Sequence, residues 1–161
     1  MCIRDSYRAF GAPDAVETGR KLRETTTKAG VRLLIGLDAD LAQAVSADGL
    51  HLPERAANRA PAMRAARPDW LLTAAWHGGA TTTEGLDALI LSPLFAAGGA
   101  SATKPPLGPE DFNVRAARAA LPVYALGGID AVNASRIIGA CGLAGVDAIQ
   151  AAFGEPPKLR T

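Results

Sequence analysis

Hydrophobic residues along this chain follow two alternating rhythms. Short apolar runs occupy residues 31–36 (VRLLIG), 49–52 (GLHL), 71–75, 88–92 (ALILS), 123–126 (VYAL) and 143–149 (LAGVDAI). Their lengths and branched side chains predict buried strands. Residues 7–10 read as the end of an earlier strand, and residues 1–6 (MCIRDS) show no period. Between the runs, apolar positions recur every three to four residues, as on a helix with one buried face. Pro13 suits the first position of a helix that stops at Gly30, with Val16, Gly19 and Leu22 on one side. Residues 38–47 predict a short helix with Leu41 and Val45 inward, and 56–66 another that Pro61 kinks or begins. A stubby helix is expected at 81–86, and one at 112–121 with Val114, Ala117 and Leu121 on one side. The last, 130–140, carries Ala134, Ile137, Ile138 and, just beyond, Cys141 at helical spacing.

Strand and helix in strict alternation specify a parallel sheet covered by helices. Short strands in six or more units favour a TIM-type (β/α) barrel over an open doubly wound sheet. The 161 residues suit one domain. With aromatics at 5%, the core must be built from Leu, Ile, Val and Ala. A net charge of +1 gives no argument for nucleic acid or a membrane surface. Cys2 and Cys141 form neither a disulfide framework nor a metal spacing. No apolar run approaches the roughly 18 residues of a membrane span, so the expected location is the cytoplasm. No GxGxxG or GxxxxGK[ST] pattern opens a helix, which weakens the dinucleotide and nucleoside triphosphate readings.

Residues 122–130, PVYALGGID, concentrate the candidate chemistry. Gly127 and Gly128 stand between a strand end and a helix start that Asp130 can cap. Without a Cβ their amides can be approached closely, and a helix N-terminus favours an anion. The same turn also serves as a plain connection with no ligand. The loop over 93–108 is too long for an idle link.

The stretches LLIGLDADLAQAVSADGLHLPER, LLTAAWH, ILSPLF, KPPLG and VYALGGID resemble, in order and spacing, the strand-end motifs of the thiamine-phosphate synthase/TenI family. The resemblance covers about residues 7–153 and implies a TIM (β/α)8-type barrel, with 1–6 a leader foreign to it and 154–161 a tail. It implies an incomplete barrel, because the first family strand and most of the second have no counterpart. Exposed sheet edges and self-association would follow. The implied activity couples hydroxymethylpyrimidine diphosphate to a thiazole phosphate, releasing diphosphate with the help of Mg²⁺. TenI relatives instead isomerise a thiazole carboxylate phosphate, and a catalytically degenerate phosphate-binding or regulatory module is the alternative.

Carried over by position, several family residues are replaced. The two metal-binding aspartate positions hold Leu37 and Ala56, leaving Asp38 and Glu54 as neighbouring metal candidates. A strand-end serine is Ala75, the diphosphate loop reads AAGGA (96–100), and the TenI histidine position holds Pro93. Arg8 falls on a family arginine. His51 and His77 stand at family positions, where each can equally be a packed or surface histidine. Arg8, His77 and Lys104 are therefore the catalytic candidates. The phosphate cup is expected from Gly127, Gly128, Val146 and Asp147. His51, Ala75, Ser92, Gly127 and Asp147 are expected near one rim.

Overall fold

The computed structural model describes residues 4–9, 11–96, 104–130 and 132–144. Two compact units emerge, one running to Ala75 and including Ala80–Ala88, the other comprising Trp76–Gly79 and the chain from Leu89 onward.

In the first unit, β1 (Arg4–Tyr7), β2 (Arg32–Gly36), β3 (Gly49–Leu52) and β4 (Leu71–Trp76) are parallel neighbours in chain order. The register runs Tyr7↔Ile35, Ile35↔Leu50 and Leu50↔Leu72. Leu33, Leu34, Ile35, Leu50, Leu52 and Leu72 are fully buried. Consecutive strand residues buried in this way mean both faces of the strand are covered, which is why these strands read as unbroken apolar runs. α1 (Ala15–Lys28), α2 (Ala39–Ala44) and α3 (Ala60–Ala66) supply helices, and a 3-10 turn at Glu54–Arg59 precedes α3. Asp38 starts α2 by accepting from Leu41 N–H at 2.9 Å. Gly30, at φ +65°, ends the first helical stretch in the left-handed conformation that favours glycine.

One device occurs twice in this unit. Asp48, immediately before β3, accepts from Leu33 N–H at 2.7 Å and from the Arg23 guanidinium, and its own N–H donates to Leu33 C=O at 2.9 Å. Asp87, immediately before Ala88, accepts from Leu72 N–H at 2.7 Å and Arg64 Nη2 at 2.6 Å, and donates to Leu72 C=O at 2.8 Å. Each aspartate ties a helix arginine to a strand start. Polar pairs therefore fix the N-terminal ends of the strands, opposite the end where barrels carry ligands.

The second unit contains β5 (Ala88–Leu91), whose first residue is shared with the first unit, α4 (Gly108–Arg118), β6 (Val123–Leu126) and β7 (Gly142–Ala144). Its strands are parallel, with Leu89↔Val123 and Tyr124↔Gly142 in register. Leu89, Leu91, Leu94, Phe112, Val123 and Ile129 form its buried centre.

Five local expectations are corrected. The first strand is Arg4–Tyr7 rather than 7–10, and Pro13 lies before the cap Asp14 instead of opening the helix. Residues 81–86 make no helix. Three consecutive threonines, stiff at χ1, precede Gly85 at φ +75°, and only a turn forms, from Leu86 N–H to Thr83 C=O. α4 begins earlier than expected and buries Phe112 and Ala116, while Val114 is 48% exposed and Leu121 lies past its end. Among the described residues of 130–140 a single 3-10 turn forms, Ala134–Arg136, in place of the expected helix. There Asp130 Oδ1 accepts from the N–H groups of Val132 and Asn133, both at 2.8 Å, and this local bonding competes with the helical ladder. Ile138 is consequently 85% exposed, and Cys141 is an exposed free thiol. Of the final expected strand, Gly142–Ala144 is present and 145–149 lie outside the described residues.

Candidate functional site

In the first unit, His51 on β3 is 4% exposed and its Nδ1 lies 2.9 Å from Thr73 Oγ1 on β4. Burial, and then the nearby Arg8 guanidinium, lower its pKa to about 4 from the usual 6.5. The ring is therefore neutral and packed at neutral pH. Arg8 itself is exposed, just past β1. Asp38 is exposed and caps α2, and Glu54 is half-buried at the head of its 3-10 turn.

Mg²⁺ favours octahedral oxygen ligands, commonly one or two carboxylates together with substrate phosphates. Asp38 Oδ1 already accepts the Leu41 amide, and among the described residues no group of three His, Cys, Asp or Glu side chains is placed to hold a metal ion. The described side chains do not fit a protein-built metal site, and no step below is routed through one.

The second unit brings more together. After β6 the chain turns at Gly127 (φ +107°) and Gly128 (φ +61°), values that favour glycine. The turn's carbonyls are each held. Leu94 N–H donates to Leu126 C=O at 2.9 Å, Phe95 N–H to Gly127 C=O at 3.0 Å, and Asn133 Nδ2 to Gly128 C=O at 2.8 Å. In a trans peptide the N–H points opposite to the C=O. The amides of Gly127, Gly128 and Ile129 are thus turned away from these anchors. The Leu126↔Ala144 pairing commits Gly127 N–H to the β7 side, while among the described residues Gly128 and Ile129 N–H donate to no protein acceptor. The amides of Asp130, Val132 and Asn133 are occupied, the first by Asn133 Oδ1 and the others by Asp130 Oδ1. The anion donors that the geometry leaves are therefore the amides of Gly128 and Ile129, and the expected helix start contributes none.

The strap from Pro93 to Phe95 also carries the second candidate. Leu107 N–H donates to Pro93 C=O and Gly108 N–H to Leu94 C=O, both at 3.0 Å, which anchors the segment following Lys104. Lys104 Nζ lies 2.8 Å from His77 Nε2. These two residues line a cavity of about 270 Å³ with Ser92, Pro93, Pro105 and Leu107. His77 and Lys104, separate candidates in the sequence, are thus brought together. His51, Ala75, Ser92 and Gly127 each stand toward or just past the C-terminal end of a strand. Val146 and Asp147 lie outside the described residues. The strap and Asn133 were not foreseen. Their only sequence signal was the Asp130–Asn133 spacing, which suits a capped turn as well as a helix start.

Comparison with known proteins agrees with this geometry. The family described as thiamine monophosphate synthase matches residues 3–152. A thiamine-phosphate synthase of Moorella thermoacetica is 33% identical over 150 residues, covering 89% of this chain and 70% of that protein. One from Methanoculleus marisnigri is 34% identical over 146 residues, covering 88% and 69%. The solved structure of thiamine phosphate pyrophosphorylase from Pyrococcus furiosus superposes with a TM-score of 0.73 at 23% identity, covering 94% of this chain and 75% of that one. That likeness gives the fold class as the TIM-barrel type. With the family match spanning nearly all of the sequence, the chain belongs to the thiamine monophosphate synthase family.

Proposed function

We propose that this chain binds a thiazole phosphate at the Gly127–Gly128 turn, through the amides of Gly128 and Ile129, and couples it to hydroxymethylpyrimidine diphosphate, forming thiamine phosphate. The observation that carries the reading is the held glycine turn, in which three carbonyls are anchored and the amides of Gly128 and Ile129, opposite two of them, have no described protein acceptor. Backbone donors to a phosphate oxygen form charge-assisted bonds worth about 1.5–3 kcal/mol each. This binding needs none of the replaced side chains. The family relatives named above support the reaction.

In this reading the bond between the pyrimidine methylene and the diphosphate oxygen breaks, and its electron pair leaves with diphosphate. The resulting cation is captured by the thiazole nitrogen lone pair. The protein accelerates such a transfer mainly by holding the reactants in position and by placing positive charge where negative charge develops. The phosphate grip at Gly128 and Ile129 fixes one reactant, and a cation at the strand ends favours departure of the other's diphosphate. The protein acts on small phosphorylated molecules, and no described helix is long and apolar enough to cross a membrane.

The test is incubation of the protein with both substrates and mass-spectrometric detection of thiamine phosphate together with released diphosphate. Stoichiometric appearance of both supports the reading, and their absence at high enzyme concentration overturns the catalytic part. The engagement of Asp38 as a helix cap favours a second reading, a phosphate-ligand binding module without turnover. Tight thiazole phosphate binding without product would select it.

A further inference from the structure

We infer that Lys104 and His77 act as one unit holding the diphosphate end of the pyrimidine substrate, with His77 as the residue that positions the Lys104 ammonium. The inference rests on the function proposed above and adds two side chains to it. An ammonium has donors only, so at 2.8 Å it donates to His77 Nε2. The ammonium is thus held by a ring nitrogen rather than a carboxylate, and an incoming anion can still pair with its charge. Arg115 differs. It donates to Asp111 Oδ2 at 2.8 Å and to Gly78 C=O at 2.6 Å, so its charge is already paired, while it fixes the residue following His77.

The cavity points to the ligand class. Among the described residues its lining has one cation, Lys104, one hydroxyl, Ser92, and no carboxylate. Such a lining favours an anion with several oxygens. Its location completes the argument. The strap at 93–95 is bonded to the glycine turn through Leu94 and Phe95, and to the segment after Lys104 through Leu107 and Gly108. One short piece of backbone therefore supports both a backbone-amide phosphate site and a side-chain anion site, matching a reaction with two phosphorylated reactants. A long lysine side chain loses rotamer freedom when it is fixed, and His77 removes part of that cost before the ligand arrives. As the methylene–oxygen bond breaks, the electron pair moves onto diphosphate. Lys104 donates a hydrogen bond to that anion and keeps its proton.

The experiment titrates inorganic diphosphate into the full chain and into Lys104→Met, His77→Phe, the double variant and Lys104→Arg, with folding checked by circular dichroism. Lys104→Met is expected to weaken binding about tenfold or more, the loss of one charge-assisted contact. His77→Phe should weaken it by a smaller factor, and the double variant should bind no worse than Lys104→Met alone. Lys104→Arg should recover part of the affinity. In turnover, the KM for the pyrimidine diphosphate should rise in Lys104→Met while that for thiazole phosphate stays unchanged. Unaltered diphosphate affinity in Lys104→Met, or a full His77→Phe effect in the Lys104→Met background, overturns the inference. Failure of thiazole phosphate to bind the unsubstituted protein would instead overturn the glycine-turn reading, and the diphosphate titrations would still report on the pair.

Discussion

The two units use polar groups in opposite ways. In the first, Asp38 caps a helix, Asp48 and Asp87 hold strand starts to arginines, and His51 is buried against Thr73. Nearly every group that could do chemistry there has a structural partner. In the second, the amides of Gly128 and Ile129 and the Lys104 ammonium are held in place by neighbours that do not neutralise them. The difference teaches that residue type alone is a poor guide to a site. An aspartate that completes a strand end is a different object from an amide turned outward by its own anchored carbonyl.

The contrast predicts where substitution damages the fold. The largest effect is expected at Gly49, paired with Leu71, where an added Cβ would overlap the Leu71 backbone, including its carbonyl oxygen. Gly49→Ala should cost about 3 kcal/mol or more by urea denaturation, because the β3–β4 ladder must part. A small loss would mean that the first unit is less rigid than described.

His51 gives a pH test of the same unit. Its folded pKa of about 4 lies below the ordinary 6.5, so the unfolded chain binds the extra proton first. Its stabilising contribution is complete above pH 6.5 and falls as pH drops from 6.5 toward 4, by about 3 kcal/mol in total. Comparing urea midpoints of the protein and His51→Gln across this range should isolate that slope. Parallel profiles would show that the ring is not desolvated. Next in size, Asp87→Ala leaves Leu72 N–H and Arg64 without their acceptor, a loss of about 1–3 kcal/mol. The smallest effect belongs to the second unit. Ile138→Ser should change stability by less than about 0.5 kcal/mol, since this side chain is 85% exposed. A larger loss would imply that Ile138 is covered in solution.

Strand positions were legible in the sequence because burial on both faces leaves unbroken apolar runs, as in residues 33–35. GLHL was read to the residue. Helices were less legible wherever side-chain hydrogen bonds decide the backbone. Ala134, Ile137, Ile138 and Cys141 have helical spacing, yet Asp130 and Asn133 bind their own turn and the period goes unused. At the site, Gly127 and Gly128 were legible as a turn that needs glycine. The Pro93–Phe95 strap that aims their amides was not, because a backbone-to-backbone bond has no residue signature. The Lys104–His77 pair was hidden for a related reason. The two residues stand 27 positions apart, and only the fold joins them.

The phosphate site rests on the amides of Gly128 and Ile129, and amide proton NMR reads them directly. Thiazole phosphate should be titrated into ¹⁵N-labelled protein, with the unphosphorylated thiazole alcohol as control. Saturable downfield shifts are expected at Gly128 and Ile129 with the phosphate only. Little change is expected at Val132 and Asn133, whose N–H groups already donate to Asp130. Equal shifts with the alcohol, or shifts at Val132 and Asn133 in place of Gly128 and Ile129, would contradict the phosphate site.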